Sequence, residues 1–326
     1  MFVLGIESTC DETGAAVVLD GRTVLSNVVA SSADLHARYG GVFPELASRR
    51  HLEAIVPVVQ EALDIAGVQE SEIDLIGVAE GPGLVGSLLV GIEFAKGLSI
   101  AWEKPLIQVH HIEAHLYAAM MDAPRPLPLP ALGLVVSGGH TLLLKIEGVG
   151  SYQILGTTVD DAAGEAFDKV GSLLGLPYPA GPHLETLAKT GQSARVKLSA
   201  GTVKRSPLDF SFSGLKTAAR YALQAGAIRE DLAAAFQETL LLDLLKKAQK
   251  ALATFDCKAL FFGGGVCNNQ RLKELFFQNI CLPLFFPSSA LTLDNGAMIA
   301  GLGYEKYLQL GPSSLTFGPK ARFPVA

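Results

Sequence analysis

Phe2-Val3-Leu4-Gly5-Ile6-Glu7-Ser8-Thr9-Cys10-Asp11-Glu12-Thr13-Gly14-Ala15-Ala16-Val17-Val18-Leu19 reads as two strands joined by a polar loop, with strands over Phe2 to Glu7 and Thr13 to Leu19 and the loop over Ser8 to Glu12. A third strand is expected over Thr23 to Val29. After an irregular stretch holding Tyr39-Gly40-Gly41, a helix is expected from about Glu45 to Ala66. Its apolar face would be Leu52, Ile55, Val56, Val59 and Leu63, with a kink at Pro57. Leu75 to Ala79 then reads as a strand running through Gly81-Pro82-Gly83 into a helix from about Leu84 to Ala101.

The second half repeats this order. Leu132 to Val136 and Thr141 to Glu147 flank the tight loop Ser137-Gly138-Gly139-His140, and Tyr152 to Leu155 supplies a third strand. A long helix follows, about Arg229 to Thr254, with Leu232, Phe236, Leu240 and Leu244 at helical spacing. A strand, Ala259 to Phe262, runs through Gly263-Gly264-Gly265 into a helix from about Asn268 to Asn279. Repetition of element order implies two similar α/β domains facing each other across a cleft. The first domain would span 1–123 plus a C-terminal helix at about 295–326. The second would span 131–294, with an insertion at about 160–224. Pro124-Arg125-Pro126-Leu127-Pro128-Leu129-Pro130 is the expected linker.

The bulk numbers agree with a two-domain globular chain. There are 326 residues, 49% of them hydrophobic and 18% charged. No uncharged apolar run reaches the roughly 18 residues of a membrane helix. The N-terminus lacks the basic start of a signal peptide. Cys10, Cys257, Cys267 and Cys281 form no Cys-x-x-Cys pair and read as cytosolic thiols, so a cytoplasmic, membrane-free protein is expected. Net charge is −6, so any nucleic acid must be held by a local patch or with a partner's help.

Val109-His110-His111-Ile112-Glu113-Ala114-His115 carries the sharpest chemical signal. His111 and His115 share one helix face and suit two ligands to one metal, although buried core histidines are the plain alternative. The zinc-peptidase pattern His-Glu-x-x-His fails, because Ile112 follows the first histidine. Glu113 is turned about 100° away. Asp294 could supply a third ligand, or simply cap the helix that starts near it. Ser137-Gly138-Gly139 is suited to an anion-binding nest, and Gly263-Gly264-Gly265 to an anion seat at a helix start. Neither Gly81-Pro82-Gly83 nor Gly263-Gly264-Gly265 is a Walker loop, because no Gly-Lys-Ser/Thr follows. Lys189, Arg195, Lys197, Lys204 and Arg205 form a positive stretch without acids over 186–208, suited to a phosphate backbone or to solvent.

The motifs Gly5-Ile6-Glu7-Ser8-Thr9-Cys10-Asp11-Glu12-Thr13, Tyr39-Gly40-Gly41-Val42, His111-Ile112-Glu113-Ala114-His115, Val136-Ser137-Gly138-Gly139-His140-Thr141, Asp160-Asp161-Ala162-Ala163-Gly164-Glu165, Asp209-Phe210-Ser211-Phe212-Ser213-Gly214-Leu215-Lys216 and Asp294-Asn295-Gly296-Ala297 resemble the bacterial TsaD family. Its members are tRNA N6-adenosine threonylcarbamoyltransferases, once labelled glycoproteases. The resemblance implies two domains of the actin-like ATPase type (ASKHA, ribonuclease H-like). It implies transfer of threonylcarbamoyl from threonylcarbamoyl-adenylate to N6 of adenosine 37 in tRNAs reading ANN codons, with AMP released. It also implies one divalent metal, Fe(2+) or Zn(2+), on His111, His115 and Asp294. The adenylate would be held by Val135, Val136, Ser137, Gly138, Gly139, Asp168, Gly181, Glu185 and Asn269. Implied partners are tRNA, a TsaB-like paralogue and a TsaE-like ATPase. The chain departs from the usual family pattern at Ala180, at Cys267-Asn268 and at Leu293.

Adenine's amino group is a weak nucleophile and the donor a reactive anhydride. The site must therefore align both, polarise the carbamoyl carbonyl and accept a proton. Asp11 or Glu12 is the candidate base. A metallopeptidase, an actin-like small-molecule kinase and a non-catalytic nucleotide-binding assembly subunit are the competing readings.

Overall fold

The computed structural model describes residues 1–32, 43–204 and 206–322. The Tyr39-Gly40-Gly41-Val42 motif and Arg205 lie outside the described residues. The chain divides into two compact units, Met1–Ala123 with Pro287–Ala326, and Pro124–Phe286.

In chain order the first unit begins with β1 (Phe2–Glu7), β2 (Glu12–Leu19), β3 (Thr23–Ser31), α1 (Pro44–Ala66), β4 (Leu75–Gly81), α2 (Val85–Trp102), β5 (Leu106–His110) and α3 (His111–Met121). The second holds β6 (Ala131–Val136), β7 (Thr141–Gly148), β8 (Ser151–Thr157), α4 (Ala163–Leu173), α5 (Gly181–Ala188), α6 (Ser213–Gln224), α7 (Arg229–Leu252), β9 (Leu260–Gly263), α8 (Gln270–Asn279) and β10 (Leu284–Phe285). The chain then returns to the first unit through α9 (Gly296–Leu310).

The repetition of element order is a repetition of strand pairing. One sheet runs β3-β2-β1-β4-β5 and the other β8-β7-β6-β9-β10. In each, the first three strands pair antiparallel and the fourth and fifth add in parallel. Hairpins join the antiparallel strands, while parallel pairs need crossovers such as α2 and α8. The ends of β1 and β6 therefore open on equivalent loops, Ser8–Asp11 and Ser137–His140.

The apolar face expected for α1 needs correction. Ile55, Val59 and Leu63 are buried as expected, but Leu52 is 65% and Val56 59% exposed. The inward stripe is His51, Ile55, Val58, Val59 and Ala62. A polar residue takes the core position that hydrophobicity alone would give to Leu52, because His51 has partners in the loop below. α2 is long and apolar enough to cross a membrane by length and composition. Here it packs against β4 and α1, with Leu88, Ile92 and Ala95 in the core.

α9 lies on the first sheet at backbone contact. A Cβ at Gly5 would stand 2.1 Å from the Gly296 carbonyl oxygen and 2.4 Å from the Ala300 nitrogen. A Cβ at Gly296 would stand 2.5 Å from the Ala16 nitrogen. Glycine on both surfaces lets the start of this helix reach the loop end of the sheet, which brings residue 294 to the histidines of α3.

Candidate metal centre and anion-binding loop

His111 and His115 lie one turn apart at the start of α3, both buried, with ring centroids 4.6 Å apart and planes at 77°. Their Nε2 atoms converge on Asp294, whose Oδ1 is 3.6 Å from His111 and 3.1 Å from His115. One ligand atom from each of the three residues falls within 4.8 Å of the others. Asp294 does not cap α9. That place belongs to Asn295, whose Oδ1 accepts from the Met298 amide at 3.0 Å. Glu113 turns away from the pair, as the zincin mismatch requires, and accepts from Lys306 at 2.9 Å.

Two residues near this centre were missed by sequence reasoning. Glu7, the last residue of β1, is wholly buried. Its Oε2 lies 3.0 Å from His111 Nδ1 and its Oε1 accepts from the Thr9 amide at 2.6 Å. A carboxylate ending the apolar run Phe2–Ile6 was the available signal. His51 is the second: Thr13 Oγ1 donates to its Nδ1 at 2.8 Å, and its Nε2 donates to the Cys10 carbonyl at 3.1 Å. A neutral imidazole with the proton on Nε2 satisfies both contacts. Ser8 Oγ donates to the Ser87 carbonyl, and the Leu84 amide to that of Thr9, so α1 and the start of α2 both brace the loop.

The electrostatics of the loop favour a cation. Burial alone would lower the His111 pKa, but the charges of Glu7 and Asp294 raise it to about 9. Burial, then Asp294 and Asp11, push the Glu12 carboxyl up to about 10. Burial, then Asp294, Glu7 and Asp11, raise the Cys10 thiol well above its ordinary value, which disfavours it as a nucleophile. Neither ring nitrogen of the buried His115 has a hydrogen-bond partner among the described residues. Two imidazoles and a carboxylate, one imidazole oriented by a second carboxylate, are a donor set that fits a borderline divalent metal.

A pH dependence follows. Ligand nitrogens must lose their protons to bind metal. Apparent Co(2+) affinity is expected to rise about tenfold per pH unit from pH 7 to the His111 pKa of about 9, then level off. In metal-free protein the sign is opposite. A histidine pKa raised in the folded state stabilises fully below about 6.5, and that contribution fades as pH rises through about 9. The raised Glu12 carboxyl also binds its proton better in the folded state, so its effect runs the same way. Thermal melts of chelator-treated protein from pH 6.5 to 9.5 should therefore show a falling midpoint.

The residues expected to hold the adenylate all belong to the second unit. Val135 and Val136 are buried in β6, so only their backbone can meet a ligand, whereas Gly138 and Gly139 are exposed at the loop tip. The loop is closed by Ser137, whose amide donates to the His140 carbonyl at 2.8 Å while its Oγ accepts the His140 amide at 3.1 Å. Gly264, at φ +90°, lies beneath it, where a Cβ would stand 2.5 Å from the Val136 carbonyl oxygen. Asp168 accepts the Ala180 amide at 2.7 Å and so fixes the start of α5 at Gly181. Asn269 caps α8 by accepting the Leu272 amide and donates to Gln237, and Glu185 accepts the Gln270 amide. Several expected ligand contacts are thus also the caps that shape the surface.

The positive stretch is less free than its sequence suggests. Arg195 is bound to the buried Asp231 at 3.2 Å, and the Gln192 amide donates to the same carboxylate at 2.7 Å. Lys189, Lys197 and Lys204 are exposed.

Comparison with known proteins gives a consistent result. The TsaD family profile, described as tRNA N6-adenosine threonylcarbamoyltransferase, matches residues 23–301. The chain is 51% identical to the tRNA N6-adenosine threonylcarbamoyltransferase of Protochlamydia amoebophila, over 100% of this chain and 98% of the relative. Among solved structures it is similar to component A of the (R)-2-hydroxyglutaryl-CoA dehydratase of Acidaminococcus fermentans, with TM-score 0.58 at 16% identity, covering 94% and 99% of the two chains. It is also similar to a full-length HypF in its phosphate- and nucleotide-bound form, with TM-score 0.66 at 13% identity, covering 96% of this chain and 47% of that one. Both likenesses are of fold, and the fold is the actin-like ATPase type.

Proposed function

The chain belongs to the TsaD family of tRNA N6-adenosine threonylcarbamoyltransferases, and from this premise we propose that it moves the threonylcarbamoyl group of threonylcarbamoyl-adenylate to N6 of adenosine 37 in tRNAs reading ANN codons, releasing AMP. The observation that carries the reading is the full-length match to a named transferase in a chain that also groups His111, His115 and Asp294.

His111, His115 and Asp294 would hold a divalent ion, Fe(2+) or Zn(2+). Bound there, it would supply Lewis acidity toward the carbamoyl carbonyl or a seat for the threonyl part. The chain's own groups have separate tasks. Ser137, Gly138 and Gly139 would present backbone amides to the phosphate that leaves with AMP. Asp168, Gly181, Glu185 and Asn269 would shape the nucleoside's place. Asp11 or Glu12 would take the proton from N6. Glu12 can do so only once the burial and the negative charge that hold its own proton are offset. Adenosine 37 lies in the anticodon loop, so its base is reached without opening a duplex.

The exposed Leu52 and Val56 on α1, with Val85 and Leu89 on α2, are apolar surface suited to a TsaB-like partner. A TsaE-like ATPase is the second partner expected, and the cytoplasm the compartment. Lys189, Lys197 and Lys204 are the candidate tRNA contacts.

The test is nucleoside mass spectrometry of unmodified tRNA after incubation with the protein, synthetic threonylcarbamoyl-adenylate, TsaB and TsaE with ATP. Threonylcarbamoyl-adenosine should appear only when this protein is present. Its absence, under conditions where a relative succeeds, would favour the non-catalytic assembly subunit.

A further inference from the structure

We infer that Glu7 is a positioning residue for the metal centre, which fixes the tautomer of His111 and ties its ring to the path of the Ser8–Glu12 loop. The inference rests on the metal reading of His111, His115 and Asp294, and is independent of the transferase chemistry.

Glu7 is wholly buried, and its charged partner among the described residues is the His111 ring. Each carboxylate oxygen faces one N–H donor, Thr9 N at 2.6 Å and His111 Nδ1 at 3.0 Å. With Oε1 taken up by the Thr9 amide, Oε2 is placed to accept from His111 Nδ1, and a neutral His111 then carries its proton on Nδ1. That leaves the Nε2 lone pair directed to Asp294 and to the point where His115 Nε2 also converges. The reverse tautomer would put a hydrogen on Nε2 and close the site. A carboxylate behind a ligating imidazole also strengthens it as a donor.

The second oxygen gives Glu7 a further role. Thr9 N is an early amide of the loop that carries Asp11 and Glu12, and Thr9 Oγ1 lies 3.4 Å from His111 Nδ1 and 3.5 Å from Asp294 Oδ2. One carboxylate therefore sets both the ring angle of a ligand and the start of the loop holding the candidate base. His51 grips the same loop from its other side through Cys10 and Thr13.

Glutamine at this position is isosteric but has one acceptor and one donor. If it accepts from Thr9 N, its amide donates to His111 Nδ1 and forces the closed tautomer. If it accepts from His111, its amide opposes the Thr9 N–H. The first closes the site to metal, and the second keeps it open only at the cost of two opposed N–H groups, so both weaken binding. The experiment measures Co(2+) binding by visible absorption in competition with a chromophoric chelator, for the unmutated protein and for Glu7→Gln, with thermal melts of both metal-free proteins. Glu7→Gln should bind roughly 10- to 100-fold more weakly while its metal-free form still melts cooperatively. Equal affinity overturns the role of Glu7 and leaves the metal centre standing. Failure of the unmutated protein to bind Co(2+) overturns both. Should Glu7→Gln not fold, nitrogen-15 NMR of the unmutated Zn(2+)-loaded protein decides the matter. A proton on His111 Nδ1 supports the assignment, and metal on Nδ1 overturns it.

Discussion

His111→Ala is expected to abolish transferase activity and to cost about 3 kcal/mol of stability, whereas His115→Ala abolishes activity with a much smaller cost. On the proposed reading each change removes one of three metal ligands. A metal acting on a carbonyl contributes several kcal/mol to a transition state, so roughly a thousandfold loss is expected from either. The two differ in what they leave behind. His111→Ala strands Glu7, whose only charged partner among the described residues is that ring. His115→Ala removes the 3.1 Å contact of its Nε2 with Asp294 Oδ1, but Asp294 is 17% exposed and keeps its contacts with His111 and Thr9, so no wholly buried charge is stranded. The check is a pair of measurements on both variants, nucleoside yield and thermal midpoint without metal. At about 2–4 °C per kcal/mol, His111→Ala should melt about 6–12 °C below the unmutated protein, and His115→Ala below it by a much smaller amount. Equal midpoints would show that the Glu7–His111 pair contributes little.

Gly5→Ala is expected to be among the most damaging single-methyl additions in the chain. The added carbon would meet backbone atoms of α9 at 2.1 and 2.4 Å, and backbone cannot rotate aside as a side chain can. The helix must lift from the sheet, at the upper end of overpacking costs, about 3 kcal/mol or more. Lifting α9 also withdraws Asp294 from the histidines, so metal affinity should fall with stability. Gly97→Ala is the control: nothing lies within 4 Å of its Cβ. It sits in the middle of α2, where alanine favours the helix by up to about 1 kcal/mol. Calorimetric melts of the two variants should move in opposite directions. A Gly5→Ala protein with an unchanged midpoint would mean that the helix does not press on the sheet as described.

What the sequence made legible, and what it hid, follows from the range of each signal. The strand–loop–strand pattern at Phe2–Leu19 and its echo at Leu132–Glu147 are local, and both hairpins stand where alternation and loop polarity put them. The spacing of His111 and His115 is equally local, since one helix turn fixes the pair whatever surrounds it. Contacts across the chain were harder. Leu52 and Val56 fit a helical stripe as well as the residues that are buried, and only the loop contacts of His51 settle which way α1 turns. Asp294 and Asn295 are both good caps by composition. The choice between them depends on the backbone entering α9 extended at Asn295, which puts that residue rather than Asp294 at the cap. Glu7 carries no periodic signal, and its partner is 104 positions away. Asn269 and Glu185 were expected as ligand contacts, and their capping of α8 was invisible until the start of that helix was placed at Gln270.

The return of α9 to the first sheet has a consequence for synthesis. All five strands of that sheet are present once residue 110 has been made, yet Asp294 and the helix that covers Gly5 and Gly14 follow only after residues 124–286. At translation rates of roughly 5–20 residues per second, the delay is roughly ten to forty seconds. Through that interval the nascent chain carries a sheet with one apolar face uncovered, the kind of surface that folding helpers shield. The second unit, contiguous in sequence, has all its strands and helices before the first can close. If His111, His115 and Asp294 hold a metal as proposed, its capture is thereby a late event. A chain released early would hold Glu7, His111 and His115 without Asp294, and so could not form the three-ligand centre.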